Sequence, residues 1–199
     1  MAKVKICGLT RKEDIEYVNK YSPDYAGFVF SKSRRRIDLN KGKELTSKLK
    51  PCIKKVGIFV NESLDFVENV SKSLKLDVIQ FHGEEDKNYI DNFSDYTVWK
   101  AIKVKTKEDI LNLNYEYVDG ILLDSKIAGS GKTFDWKIAS NLVLKCQLIL
   151  AGGLNIDNVE DGILKFKPYV VDVSSGVESF GLKDENKIKS FIEKVRNIK

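Results

Sequence analysis

The chain has 199 residues, 42% hydrophobic and 32% charged, with a formal net charge of +5 at pH 7, which supplies apolar material for one core and predicts a single domain over 1–199. No stretch approaches the roughly 20 apolar residues of a membrane span, and the N-terminus lacks the apolar length of a signal peptide, so a soluble, cytoplasmic protein with no membrane partner is expected. Lysines spread through amphipathic segments argue against a nucleic-acid partner, and Cys7, Cys52 and Cys146, an odd number without metal-type spacing, read as free thiols with neither a disulfide framework nor a structural zinc site.

Hydrophobic periodicity alternates between strand-like and helix-like runs along the chain. Strands are predicted at 4–7 (VKIC), 25–30 (YAGFVF), 55–60 (KVGIFV), 77–82 (DVIQFH), 98–103 (VWKAIK), 120–124 (GILLD), 147–152 (QLILAG) and 170–175 (VVDVSS). Helical patterns fall at 11–21, 41–49, 64–74, 86–93, 107–113, 136–144, 156–166 and 185–198. Thr10, Asn40, Ser63, Asp135, Asn155 and Asp184 are the predicted N-caps. Eight βα units favour closure into a parallel (β/α)8 TIM barrel, a compact one at this length. In such a barrel the chemistry belongs at the carboxyl ends of the strands, where Cys7, His82, Asp124, Gly152 and Ser174 stand.

The first strand ends in Cys7 followed by Gly8, and alternation puts Lys5 and Cys7 on one face and Val4 and Ile6 on the other. A cysteine is commonly a buried small hydrophobe; at a strand end, its thiolate could instead abstract a proton or attack carbon. Asp124 closes the apolar run Ile121, Leu122, Leu123, either as a structural hydrogen-bond acceptor or as a general acid. One group to give a proton and one to take it suit an isomerisation without external reagents.

Gly129 to Thr133 spell GSGKT, but the phosphate-loop spacing would need glycine where Lys126 stands, so the segment reads as a glycine-rich loop that closes over a site. The turns Gly152–Gly153 after strand seven and Ser174–Ser175–Gly176 after strand eight occupy the two positions where (β/α)8 enzymes commonly cradle a phosphate with backbone N–H groups. Together they predict a phosphorylated small-molecule substrate. Arg34, Arg35 and Arg36 form either a solvated basic loop or the source of one arginine that pairs with a substrate carboxylate. His82, the single histidine, reads by default as a structural one. Lys5 and Asp172 would face each other across neighbouring strands one and eight of a closed barrel, which predicts an inward ion pair.

The motifs VKICGLTRKED at the start, GFVF at 27–30, VGIFVN at 56–61, QFHGEE at 80–85, LLDSK with GSGKTFDW, LAGGLN and VDVSSGVE occur in order along nearly the whole chain. On these the chain resembles the phosphoribosylanthranilate isomerase family of tryptophan biosynthesis. The resemblance implies a (β/α)8 barrel acting on N-(5′-phosphoribosyl)anthranilate by an Amadori rearrangement, with no metal or organic cofactor; a monomer or a homodimer is expected. It implies that Cys7 is the general base and Asp124 the general acid. It also implies that an arginine after strand two holds the anthranilate carboxylate: Arg35 by alignment, or Arg36. His82, Gly152, Gly153, Ser174, Ser175 and Gly176 complete the expected substrate-binding set. Two departures from the family pattern stand out, the triple arginine after Ser33 and Phe180 in place of a common proline.

Three rivals remain at this level. A ribulose-phosphate epimerase needs histidine metal ligands that one histidine cannot supply. An indole-glycerol-phosphate synthase would place lysine and glutamate where this chain has Cys7 and Asp124. A non-catalytic phosphate-binding barrel would use the same fold without turnover.

Overall fold

The computed structural model describes residues 1–104, 117–125 and 145–198. Eight parallel strands, β1 (Lys3–Cys7), β2 (Tyr25–Val29), β3 (Lys54–Phe59), β4 (Val78–Phe81), β5 (Thr97–Val104), β6 (Gly120–Ser125), β7 (Gln147–Leu150) and β8 (Val170–Val173), pair in chain order and close into a barrel as β8 bonds to β1. Described helices are α1 (Lys12–Tyr21), α2 (Leu39–Thr46), α3 (Leu64–Leu74), α4 (Lys87–Ile90) with a 3₁₀ turn at Asp91–Phe93, α5 (Val159–Phe166) and α6 (Glu185–Asn197). The helices predicted at 107–113 and 136–144, the Asp135 cap and the Gly129–Thr133 loop lie outside the described residues.

Strand alternation divides the core in two. Inside the barrel, Tyr25, Val56, Ile58, Val78, Trp99, Ala101, Leu122, Ile149, Ala151 and Val170 form one cluster. Val4, Ile6, Phe28, Ile79, Phe81, Ile121 and Leu123, their neighbours one residue along, face outward against the helices. The period of two therefore sends Lys5 and Cys7, Gln80, Leu122 and Asp124, and Asp172 and Ser174 to the interior. Lys5 lies opposite Asp172 in the ladder, and its Nζ sits 2.7 Å from Asp172 Oδ2, with both residues buried, as the alternation and closure required.

Several boundaries differ from the sequence reading, each for a local reason. The helix after strand two starts at Leu39 because Asp38, not Asn40, accepts a hydrogen bond from the Lys41 amide at 2.8 Å. Thr10 does not cap α1; Asp14 reaches back to the amides of Thr10 and Arg11, at 2.8 and 3.0 Å, and ties down the helix start from inside. Asn155 does not cap α5 either. Its Oδ1 accepts from Asp157 and Asn158 in a preceding turn, and the helix begins only at Val159. Strand seven stops at Leu150, since Gly152 (φ 78°) and Gly153 (φ 74°) turn the chain left-handed.

Strand eight stops at Val173, after which Ser175–Val177 wind into a 3₁₀ turn. The chain then forms a small hairpin, β9 (Glu178–Ser179) with β10 (Leu182–Lys183), whose two turn residues Phe180 (φ 53°) and Gly181 (φ 81°) both take positive φ, as a type I′ turn needs. A proline ring, locked near φ −65°, cannot occupy that Phe180 conformation, so the departure at this position changes the turn itself. Among the described residues no helix is long and apolar enough to cross a membrane.

Candidate active site

A cavity of about 460 Å³ opens at the carboxyl ends of the strands. Its walls include Cys7 of β1, Arg35 from the loop after β2, His82 after β4, Asp124 of β6, Gly152 and Gly153 after β7, and Ser174 and Ser175 after β8. Residues 167 positions apart in sequence thus meet at one mouth, because a closed parallel barrel brings every strand end to the same rim. A larger cavity, about 1230 Å³, lies at the amino end of the strands around Met1, Cys146 and Tyr169. The rim at the carboxyl end is the one that sets an acid and a thiol beside the two loop turns after β7 and β8.

Cys7 is half-buried beside Gly27, its partner in the ladder. A methyl group on Gly27 would lie 3.1 Å from both Cys7 Sγ and Lys5 Cε, so the bare glycine makes the room that the thiol and the lysine stem occupy. Burial pushes the Cys7 thiol up; the Lys5 ammonium pulls it down, the Asp172 carboxylate adds to the rise, and Lys183 again opposes it. Burial works against the charge on Lys5, but the Asp172 carboxylate and Cys7 together outweigh it and hold the ammonium above its ordinary range. Ser174 Oγ donates to the Cys7 carbonyl at 3.0 Å, fastening the ends of β1 and β8 together.

Asp124 sits across the mouth. His82 Nε2 lies 3.2 Å from its Oδ2, and His82 Nδ1 lies 3.3 Å from Gln80 Nε2. Gln80 Oε1 in turn accepts from Lys5 Nζ at 2.8 Å. A hydrogen-bonded row therefore crosses the barrel from β1 through β4 to β6. His82 thus has both ring nitrogens engaged.

Arg35 lines the cavity, whereas Arg36 is exposed and absent from its walls. The Arg35 side chain lies over Gly8, where any β-carbon would come within 2.3 Å of Arg35 Cδ and where φ of 79° already favours glycine. Its Nε and Nη2 donate to the two oxygens of Glu178 at 2.7 and 3.1 Å. Glu178 also receives Arg34 and, at 2.8 Å, the buried Lys183. Burial alone would raise the Glu178 carboxyl, but Arg35 and Lys183 dominate and hold it at about 2. Lys183 additionally donates to the Ser174 carbonyl at 2.9 Å, so this knot of charge joins the β2, β8 and β10 segments over the site.

Besides the alternative arginine Arg36, Gly176 is the one residue expected from sequence that is not in the cavity wall. It sits where the loops after β7 and β8 touch, and a β-carbon there would come within 2.0 Å of the Leu154 carbonyl oxygen. Its contribution is to let those loops close on each other. Gln80, Glu178 and Lys183 were not singled out by the sequence reading. Gln80 and Glu178 lie in quoted motifs; for Lys183 no sequence pattern distinguished it from the other lysines. Among the described residues no cluster of His, Cys, Asp or Glu is arranged to hold a metal ion.

Residues 4–194 match the model of the N-(5′-phosphoribosyl)anthranilate (PRA) isomerase family. An N-(5′-phosphoribosyl)anthranilate isomerase of Clostridium kluyveri is 61% identical over 199 residues, covering all of both chains. The crystal structure of phosphoribosyl anthranilate isomerase from Thermotoga maritima superimposes with a TM-score of 0.90 at 39% identity, over 98% of this chain and 99% of that one. A crystal structure of a phosphoribosyl anthranilate isomerase in complex with reduced 1-(o-carboxyphenylamino)-1-deoxyribulose 5-phosphate gives a TM-score of 0.88 at 36% identity, over 98% of this chain and 99% of that one. With ordered motifs, a closed eight-stranded barrel and matches over essentially its whole length, the chain belongs to the N-(5′-phosphoribosyl)anthranilate isomerase family.

Proposed function

We propose that Cys7 and Asp124 are the base and acid with which this isomerase of tryptophan biosynthesis converts N-(5′-phosphoribosyl)anthranilate to 1-(2-carboxyphenylamino)-1-deoxyribulose 5-phosphate. The observation that carries the assignment is the presence of both groups in the walls of one cavity, on β1 and β6. Asp124 protonates the ribose ring oxygen, the bond from C1′ to that oxygen breaks, and the anthranilate nitrogen lone pair forms a protonated imine. Cys7, as thiolate, takes the proton from C2′, and the electrons of that bond form the enolamine. Tautomerisation to the ketone moves a proton from the 2′-hydroxyl to C1′. One proton has left Asp124 and one has arrived at Cys7, so the product is an isomer and the enzyme resets by moving one proton back.

Substrate-binding roles follow from where charge and glycine stand. The turns at Gly152–Gly153 and Ser174–Ser175 receive the phosphate, with Gly176 keeping the two loops in contact. Arg35 holds the anthranilate carboxylate, which its place in the wall favours over the exposed Arg36. His82 acts at the acid, through its contact with Asp124. A single domain over the whole chain is supported by the closure of β8 onto β1.

The test is turnover of freshly generated phosphoribosylanthranilate, followed by loss of its anthranilate fluorescence, for wild type, Cys7→Ala and Asp124→Asn side by side. Turnover is expected with wild type and none above background with either variant, both folded. A Cys7→Ala enzyme at the wild-type rate, or folded wild type without turnover, would overturn the assignment.

A further inference from the structure

The row Lys5, Gln80, His82, Asp124 carries more than contact, because its first member has only one way to hydrogen-bond. An ammonium donates and cannot accept. Lys5 Nζ, fully buried and paired with Asp172, therefore requires the oxygen of the Gln80 amide on its side, at 2.8 Å. That fixes the other end of the amide: Nε2, a donor, faces His82 Nδ1 at 3.3 Å. A donor opposite Nδ1 requires that nitrogen to carry a lone pair and no hydrogen. The ring proton is then on Nε2, which donates to Asp124 Oδ2 at 3.2 Å.

From this we infer that Gln80 is a positioning residue for the general acid: with Lys5 it sets the His82 tautomer that keeps the catalytic proton of Asp124 available to substrate. With Nε2–H donating to Oδ2, a protonated Asp124 carries its hydrogen on Oδ1, the oxygen that His82 does not engage. With the opposite tautomer, a bare Nε2 would accept the carboxyl proton itself, and the acid would be turned away from the ring oxygen it must protonate. The row is not a path for protons, since passing one through an amide would demand the imidic acid form. It transmits orientation. Lys5 also lies beside Cys7, so one buried cation serves both ends of the reaction, lowering the thiol's cost of ionising and ordering the acid.

The inference rests on Asp124 being the acid, and the test is chosen to read the tautomer without turnover. His82 is the single histidine, so protein labelled with ¹⁵N-histidine gives one imidazole to assign. At pH 8 the wild type is expected to show Nε2 protonated and Nδ1 bare. Gln80→Glu places a carboxylate between Lys5 and Nδ1, and should draw the ring proton to Nδ1. Gln80→Leu removes the amide, and should lower kcat about tenfold or more with KM changed by less than about twofold. A proton on Nδ1 in the wild type, an imidazolium at that pH, or a folded Gln80→Leu enzyme with wild-type kcat would overturn the inference. The wild-type spectrum decides even if neither variant folds. Absence of turnover with the expected tautomer would count instead against the assignment of Asp124.

Discussion

Glu178→Gln tests the charge knot above the site, and its size can be worked out from the structure. The glutamate side chain is 6% exposed and meets Arg34, Arg35 and Lys183; against the rise that burial alone would cause, Arg35 and Lys183 hold its carboxyl at about 2, where the ordinary value is 4.5. A carboxyl depressed in the folded state stabilises it fully above the unfolded pKa, and that contribution is lost as pH falls toward the folded one. The depression corresponds to about 3 kcal/mol at pH 7, about 2 near pH 3.5 and about 1 at pH 2.5. Glutamine mimics the protonated side chain at every pH. Urea unfolding of wild type and Glu178→Gln at those three pH values should therefore show a stability gap that narrows along that course. A gap as wide at pH 2.5 as at pH 7, or no gap at pH 7, would refute the ionised carboxylate as its source. The variant should also raise KM, because Glu178 orients the Arg35 guanidinium while leaving its remaining N–H groups for substrate.

Arg35→Ala should weaken the anthranilate end by roughly 1.5 to 3 kcal/mol, read as an increase in KM, with inhibition by inorganic phosphate unchanged, and Arg36→Ala should do neither; the reverse pattern would move the carboxylate contact to Arg36. Gly27→Ala puts a methyl 3.1 Å from Cys7 Sγ, and, with Cys7 as the proposed base, should lower kcat about tenfold through its displacement, with little change in KM. Lys183→Met removes a cation that favours the Cys7 thiolate, so the rising limb of kcat/KM against pH should move to higher pH. A limb that stays in place, or moves down, would show that Lys183 does not act on the thiol.

Much of the candidate site was legible in the sequence. Strand alternation alone put Lys5 with Cys7, and closure of eight strands in order put Lys5 against Asp172, because parallel neighbours keep a regular register. Polar residues at the ends of apolar runs marked Cys7, Asp124 and Ser174, since a buried strand tolerates such groups only where the barrel opens or where, as for Lys5 and Asp172, they pair with each other. The local pattern was less reliable for helix starts. Asp38 and Asn40 are both competent caps, and the backbone path out of the arginine loop decides which side chain reaches the free amide.

What only the tertiary structure decided is how groups far apart in the chain constrain one another. Glu178 was one acid among 29 acidic residues until three cations from two separate segments converged on it. His82 was a lone imidazole with two possible tautomers until β1 delivered Lys5 to the far side of Gln80. Sequence periodicity specifies which face a side chain takes, because that depends on its immediate neighbours along one strand. Charge pairing and proton placement depend on which atoms meet across strands and loops, and those meetings exist only once the barrel has closed.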